Sequence, residues 1–213
     1  MDPTRIADLR EALARLDPAL AVAHAAAPLF PWRSKPGGFA GLVRMILEQQ
    51  VSLASAAAIW SRLEAGLGQV TPDTVLAIPP ETLQSFGLSR PKVRYVRALA
   101  EAEIEFEGLK DLDDAGAIAL LTAIPGIGRW TAEVYLMICE GRTDFFPAGD
   151  VALQEALRVA ASLPERPSEK SLYARAEAWR PHRGAAAHLL WAYYSGLKRG
   201  EIIPPQHAPV AKK

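Results

Sequence analysis

Residues Leu121–Leu136 read LTAIPGIGRWTAEVYL, and the reading of the fold starts from this stretch. Pro125-Gly126-Ile127-Gly128 lies between two helix-like patterns, so its first reading is a tight turn. Gly126 also fits the end of the helix that carries Leu120 and Leu121, because glycine tolerates positive φ. The flanks add a second reading. Ile124 precedes the turn, Ile127 sits inside it, and Gly128 opens a helix whose Trp130, Val134, Met137 and Ile138 share a face. Two glycines at a helix start leave backbone N–H groups unshielded at the positive end of the helix dipole. Such a place suits an anion, and the phosphates of a nucleic-acid backbone could approach it closely.

Outward from this turn the chain is helical. TRIADLREALARLDPALAVAHAAA reads as one or two amphipathic helices, with Ile6, Leu9, Leu13 and Leu16 at helical spacing. Pro28–Gly38, PLFPWRSKPGG, is a loop. Phe39, Leu42, Ile46 and Leu53 continue a helical stripe that Gln49-Gln50 interrupts, and Ser52 is placed to cap a second helix. TPDTVLAI and PPETLQSF predict short helices, and a longer one is expected from Pro91 to about Glu105. Three more follow the turn, in VALQEALRVAASL, SEKSLYARAEAW and AAAHLLWAYYSGL, before a loose tail, PPQHAPVAKK. Period-two alternation is missing, so the fold is read as all-α, with no repeat and no interdomain linker.

The bulk numbers set limits. The formal net charge is zero, so attraction for nucleic acid must come from a local site. One cysteine, Cys139, excludes an intrachain disulfide and any cysteine-only metal site, and its apolar surroundings predict a buried thiol. No signal peptide and no long apolar run is found, so the expectation is a cytoplasmic protein without a membrane partner.

The match goes further than the turn. ILEQQVSLASAAAI, GLSRPKVRYVRALA, AIPGIGRWTAEVYLM and DFFPAGDVALQEAL occur in the order found in the DNA glycosylases with a helix-hairpin-helix motif. From about Phe39 to about Ile203 the chain most resembles the 3-methyladenine DNA glycosylase II, or AlkA-like, branch. The resemblance implies an all-helical domain over 1–213, in two lobes with a cleft between them and the hairpin at 121–136. It also implies the compact form, without the β-rich N-terminal domain of many bacterial members.

On local grounds Asp150 is a helix N-cap. The resemblance makes it the catalytic acid as well, in the P-x-x-D segment after the hairpin, and the two roles are compatible. Breaking an N-glycosidic bond builds positive charge on the sugar, which a fixed carboxylate stabilises. Asp144 is the competing carboxylate. Bifunctional relatives carry a lysine nucleophile at the position of Trp130, so the tryptophan implies a monofunctional enzyme that uses water. Trp130 then fits either the core or a base pocket, where its face would stack on a flipped cationic base. Val134, one turn on, would line the same pocket. Trp191 matches a tryptophan that the family brings near the acid, with core packing an equal reading and Tyr193 or Tyr194 as substitutes. His188 reads as a satisfied core histidine.

For DNA contact the resemblance points to Gly126, Gly128 and Arg129 at the hairpin, Gln50 as the wedge that fills the gap left by a flipped base, and Lys92 as a phosphate contact. Gln50 also fits a plain exposed loop, and Gln49 is expected to support the turn. Arg90, Arg94 and Arg97 can share a stripe, read by default as a solvated face, with a phosphate contact open to one or two of the cations in this segment. Hairpin carbonyls could hold an alkali ion beside a phosphate, but no catalytic metal and no cofactor is expected. The implied partner is double-stranded DNA containing alkylated bases, with the protein acting as a monomer, on the nucleoid in a bacterial cell. Two rival readings stay open: a helix-hairpin-helix DNA-binding module without catalysis, and a glycosylase for deaminated or oxidised bases.

Overall fold

Capping residues followed by proline mark where the helices begin. In the computed structural model, which describes residues 1–205, α1 (Pro3–Leu16) starts after Asp2, whose carboxylate accepts from the Arg5 N–H, and α2 (Pro18–Ala26) starts after Asp17 in the same way. Proline fits a first turn because its missing N–H would have no intrahelical acceptor there. The same device, with a Thr71–Thr74 capping box, opens α5 (Pro72–Leu76). Among the described residues the protein is all-helical, with no strand.

The chain divides into two compact units. One is continuous, Lys35–Glu140. It holds α3 (Gly38–Glu48), α4 (Leu53–Leu67), α5, α6 (Pro80–Ser85), α7 (Arg90–Glu101), α8 (Asp114–Thr122) and α9 (Arg129–Ile138). Its core gathers Leu42, Ile46, Leu47, Leu63, Leu83, Val96 and Leu99. The other joins Met1–Ser34 to the chain from Gly141 onward. It holds α1, α2, α10 (Val151–Ala160), α11 (Glu169–Ala176) and α12 (Arg183–Arg199) around Leu13, Leu20, Phe146, Leu153, Trp179 and Leu189.

Three expectations change. The helix expected to reach Glu105 stops at Glu101, and Glu103 takes a positive φ. Glu101, Glu103, Glu105 and Glu107 crowd its C-terminal end, where negative charge opposes the helix dipole. Leu53 does not continue the α3 stripe: α3 ends at Glu48, the extended Gln49 and then Gln50 at φ 58° turn the chain, and Leu53 opens α4 exposed to solvent. Ser52 does cap α4, accepting from the Ser55 N–H. Cys139 is half-buried rather than buried, and its thiol is pushed up to about 11, first by burial and then by Glu140, so it stays protonated. Of the loose tail, residues 206–213 lie outside the described residues.

In the unit that joins Met1–Ser34 to the chain from Gly141 onward, the long-range anchor is Asp17. Its carboxylate caps α2, accepts two bonds from Arg175 at 2.7 and 2.8 Å, and accepts the Trp179 indole N–H at 3.0 Å. Burial raises its pKa, but the Arg175 and backbone donors outweigh burial and hold it below the usual carboxylate value. Asp17→Ala removes a cap and leaves the Trp179 N–H buried without an acceptor. The expected cost is roughly 2–3 kcal/mol, with little from the half-exposed Arg175. Thermal unfolding should show the loss, and Asp17→Asn should recover part of it by keeping an acceptor oxygen.

Candidate active site and DNA-binding elements

In the Lys35–Glu140 unit, the hairpin is built as the glycines suggested, with one change. The helix carrying Leu121 ends at Thr122, capped by Ala123, so Gly126 does not terminate it. Gly126 instead lies in the turn at φ 89°, and a Cβ there would collide with the ring of Tyr95 on α7. The turn is closed by the Ile127 N–H donating to the Ile124 carbonyl at 3.1 Å. Ile124 and Ile127 are both buried and anchor it from below. Gly128 is the N-cap of α9 and has no side-chain cap. A Cβ on Gly128 would meet nothing within the protein. Packing within the protein therefore does not require glycine at this position.

Gln49 and Gln50 flank this turn and, with Tyr95 and residues 122–128, line an open groove of about 450 Å³. The Gln49 amide donates to the Gly126 carbonyl at 3.1 Å and to the Thr131 hydroxyl at 3.2 Å. Gln49 thus supports the turn and engages one of the carbonyls that an alkali ion would use. Gln50 is exposed in the left-handed region at the tip between α3 and α4. Among the described residues no three His, Cys, Asp or Glu side chains gather to hold a metal ion. No helix there is long and apolar enough to cross a membrane.

Lys92 is a correction. Expected at a phosphate, it is only 9% exposed, and its ammonium donates to the Leu47 carbonyl at 2.7 Å. Burial lowers its pKa. It satisfies a carbonyl in the last turn of α3, just before the Gln49-Gln50 tip, and presents no charge to solvent. Arg97 likewise donates to the Ile78 carbonyl. Arg129, beside the hairpin glycines, pairs with the buried Glu133 at 3.0 Å while most of its own side chain stays exposed.

Trp130 is 39% exposed, which rules out ordinary core. It offers an aromatic surface on the first turn of α9. Val134, expected beside it in a pocket wall, is buried and offers little surface to a ligand.

In the other unit, Asp150 and Trp191 come together. Asp150 Oδ1 accepts the Ala152 and Leu153 N–H groups at 2.7 and 3.3 Å, so the carboxylate caps α10. Its Oδ2 accepts the Trp191 indole N–H at 3.3 Å. One oxygen is set by the helix and the other by a side chain 41 residues away in sequence. Asp144, the competitor, is committed to Arg183 and Arg180. Tyr193 is buried with its hydroxyl unpartnered, and Tyr194 is half-buried.

Sequence reasoning missed Arg33 and Trp32, which sit in the stretch read only as a loop. Trp32 stacks on His188 at 4.1 Å, His188 meets the edge of Trp191 at 5.5 Å, and the Arg33 guanidinium lies over the Trp191 ring at 5.0 Å. A Trp-Arg pair in a proline-broken loop was the available signal. His188 is the satisfied core histidine: its Nδ1 donates to the Gly184 carbonyl at 2.8 Å and its Nε2 accepts the Arg33 N–H at 3.2 Å. That pattern fixes the neutral tautomer. Burial pushes its pKa down to about 4.

The comparisons fit this geometry. The profile of the HhH-GPD superfamily base excision DNA repair proteins matches residues 43–181. DNA-3-methyladenine glycosylase 1 of Schizosaccharomyces pombe is 32% identical over 158 residues, covering 70% of this chain and 69% of that one. A crystal structure of a DNA-3-methyladenine glycosidase from Bacillus halodurans superposes with TM-score 0.77 at 31% identity, covering 88% of this chain and 89% of that one. The S. pombe 3-methyladenine DNA glycosylase bound to abasic DNA superposes with TM-score 0.73 at 28% identity, covering 86% of this chain and 95% of that one.

His188 also sets a pH dependence. An unfolded histidine takes up a proton near pH 6.5, whereas the folded one holds off until about pH 4. Between those values only the unfolded chain gains the proton, so stability falls as pH is lowered across the window, by roughly 3 kcal/mol in all. Denaturant unfolding at several pH values should show this loss in the wild type. In His188→Gln the slope between pH 6.5 and 4 should flatten, whatever the variant's stability at pH 7.

Proposed function

Because the chain belongs to the HhH-GPD superfamily of base excision DNA repair proteins, we propose that it is a monofunctional DNA glycosylase. It hydrolyses the N-glycosidic bond of alkylated purines of the 3-methyladenine and 7-methylguanine class in duplex DNA and leaves an abasic site. It acts as a monomer. The observation that carries this reading is the Asp150 carboxylate, held at the start of α10 by two backbone N–H groups and by the Trp191 indole.

The chemistry follows from that placement. The bond from C1′ to the base nitrogen breaks with its electron pair going to the base. An alkylated purine already carries a positive charge, so it departs neutral and needs no proton from the protein. Positive charge grows on the sugar, and the fixed Asp150 carboxylate stabilises it. Water then forms the new bond to C1′ and gives up a proton, and the DNA strand stays intact. The roles of the hairpin are positional. The uncapped α9 start and Gly128 accept a backbone phosphate, Gln50 fills the gap left by the flipped nucleotide, and Trp130 offers a face on which a cationic base stacks.

The test is release of free methylated base from methylated duplex DNA, with binding measured in parallel. Asp150→Asn keeps an oxygen for the helix cap and removes the charge. It should bind DNA like the wild type and lose about 100-fold or more in base release. Equal release by both proteins would remove Asp150 from the chemistry. DNA binding without release by the wild type would favour a binding module, and excision of hypoxanthine alone would favour a deaminated-base enzyme.

Trp130 makes a separate prediction. Without a lysine nucleophile there, borohydride added during the reaction should trap no covalent protein–DNA adduct. A trapped adduct would show a Schiff base and a bifunctional enzyme.

A further inference from the structure

The loop between α2 and α3 brings a cation to the back of the proposed catalytic pair. Arg33 lies over one face of the Trp191 ring at 5.0 Å, and His188 packs edge-on against the same ring at 5.5 Å. The Arg33 backbone N–H is itself fixed on His188 Nε2, and Trp32 stacks on His188 at 4.1 Å. The indole so clamped donates to Asp150 Oδ2. Asp150 in turn acts on Arg33: burial lowers the guanidinium's pKa, and the Asp150 charge opposes that shift. None of these contacts belongs to the α10 cap, which uses Oδ1.

We propose that Arg33 is a positioning residue for base release, holding the Trp191 indole N–H on Oδ2 of Asp150 and so fixing the plane of the carboxylate. The proposal rests on Asp150 being the catalytic group. The physical need is plain. Burial and the contact with His188 confine the ring, but the terminal torsion of an aromatic side chain is broad, and a single 3.3 Å bond does not by itself hold the N–H on one oxygen. A planar guanidinium on its face does, and its charge draws electron density from the ring, which makes the N–H a better donor to a carboxylate. Lysine cannot stack in this way, so the site calls for arginine. The backbone bond to His188 survives any side-chain substitution at Arg33, so loop anchoring and the stack can be separated.

The experiment is a double-mutant cycle on the full chain with Arg33→Met, Arg33→Lys, Trp191→Phe and the Arg33→Met/Trp191→Phe pair. Single-turnover base release at saturating protein is measured beside affinity for an abasic-site duplex and the indole N–H resonance of Trp191 in the free protein. Arg33→Met should lower the single-turnover rate about tenfold and leave the affinity within about twofold. Arg33→Lys should restore little of the rate. In the Trp191→Phe background, Arg33→Met should cost nothing further. The Trp191 resonance should move in Arg33→Met without DNA. A loss of affinity with an unchanged saturating rate would make Arg33 a phosphate contact and overturn the proposal. So would rate losses that multiply in the double variant. If the wild type releases no base, the glycosylase reading fails on its own. The resonance then decides the contact, and an unmoved resonance overturns the role of Arg33.

Discussion

A carboxylate that is to act on a reacting sugar, as proposed for Asp150, needs donors from groups that cannot swing away. Asp150 meets this constraint from two directions. The helix start supplies backbone N–H groups to Oδ1, and the Trp191 indole supplies one to Oδ2. The first set comes with the secondary structure. The second depends on α12 and on the loop before α3, because His188 and Arg33 determine where the indole lies. Much of what looks like core packing in this unit therefore converges on one oxygen atom. Asp144 shows the contrast. It has the same chemistry but is bound into the Arg180–Arg183 pairs, where it holds structure together.

The hairpin in the other unit follows a related logic with backbone in place of side chains. Gly126 is required by its positive φ and by Tyr95 against its α-carbon, an internal demand. Gly128 faces no internal demand at all. Two glycines in one tetrapeptide thus differ: folding requires the first, and the second leaves the start of α9 open, which is what the proposed phosphate contact needs. Gln49 joins the turn to the tip that carries Gln50 by bonding both the Gly126 carbonyl and the Thr131 hydroxyl. Lys92 steadies the same tip from beneath through the Leu47 carbonyl. The tip is therefore held by polar bonds as well as by burial.

The helices were legible because their signals are local. Apolar spacing marked them, while the cap-and-proline pairs Asp2-Pro3, Asp17-Pro18 and Thr71-Pro72 that fix three of the starts went unread, which left the first segment as one or two helices. Asp150 was legible twice, as a cap and through the resemblance. The failures at the site concern where a long or aromatic side chain points. Lys92 looked like a surface cation because lysine usually is one, and only the path of α3 shows a carbonyl waiting for it. Arg33 and Trp32 were invisible because their partners, Trp191 and His188, lie more than 150 residues along the chain. Leu53 was placed on the α3 stripe although Gln49-Gln50 and the Ser52 cap already marked a break; the extended Gln49 and left-handed Gln50 reset the register there.

Zero net charge and a DNA-repair role are reconciled by the same geometry. Arg97 is turned to a backbone carbonyl, Lys92 is buried and Arg129 shares its charge with Glu133. What the hairpin offers instead is the start of α9, a site whose positive potential comes from peptide dipoles and carries no formal charge. Such a site holds a phosphate at close range but adds little attraction at a distance. Non-specific affinity for duplex DNA is then expected to be modest, since Lys92, Arg97 and Arg129 are engaged within the protein. In the proposed reading the lesion supplies what the protein's net charge does not, through a cationic base stacked on the exposed Trp130 indole and a positive sugar facing the fixed Asp150 carboxylate.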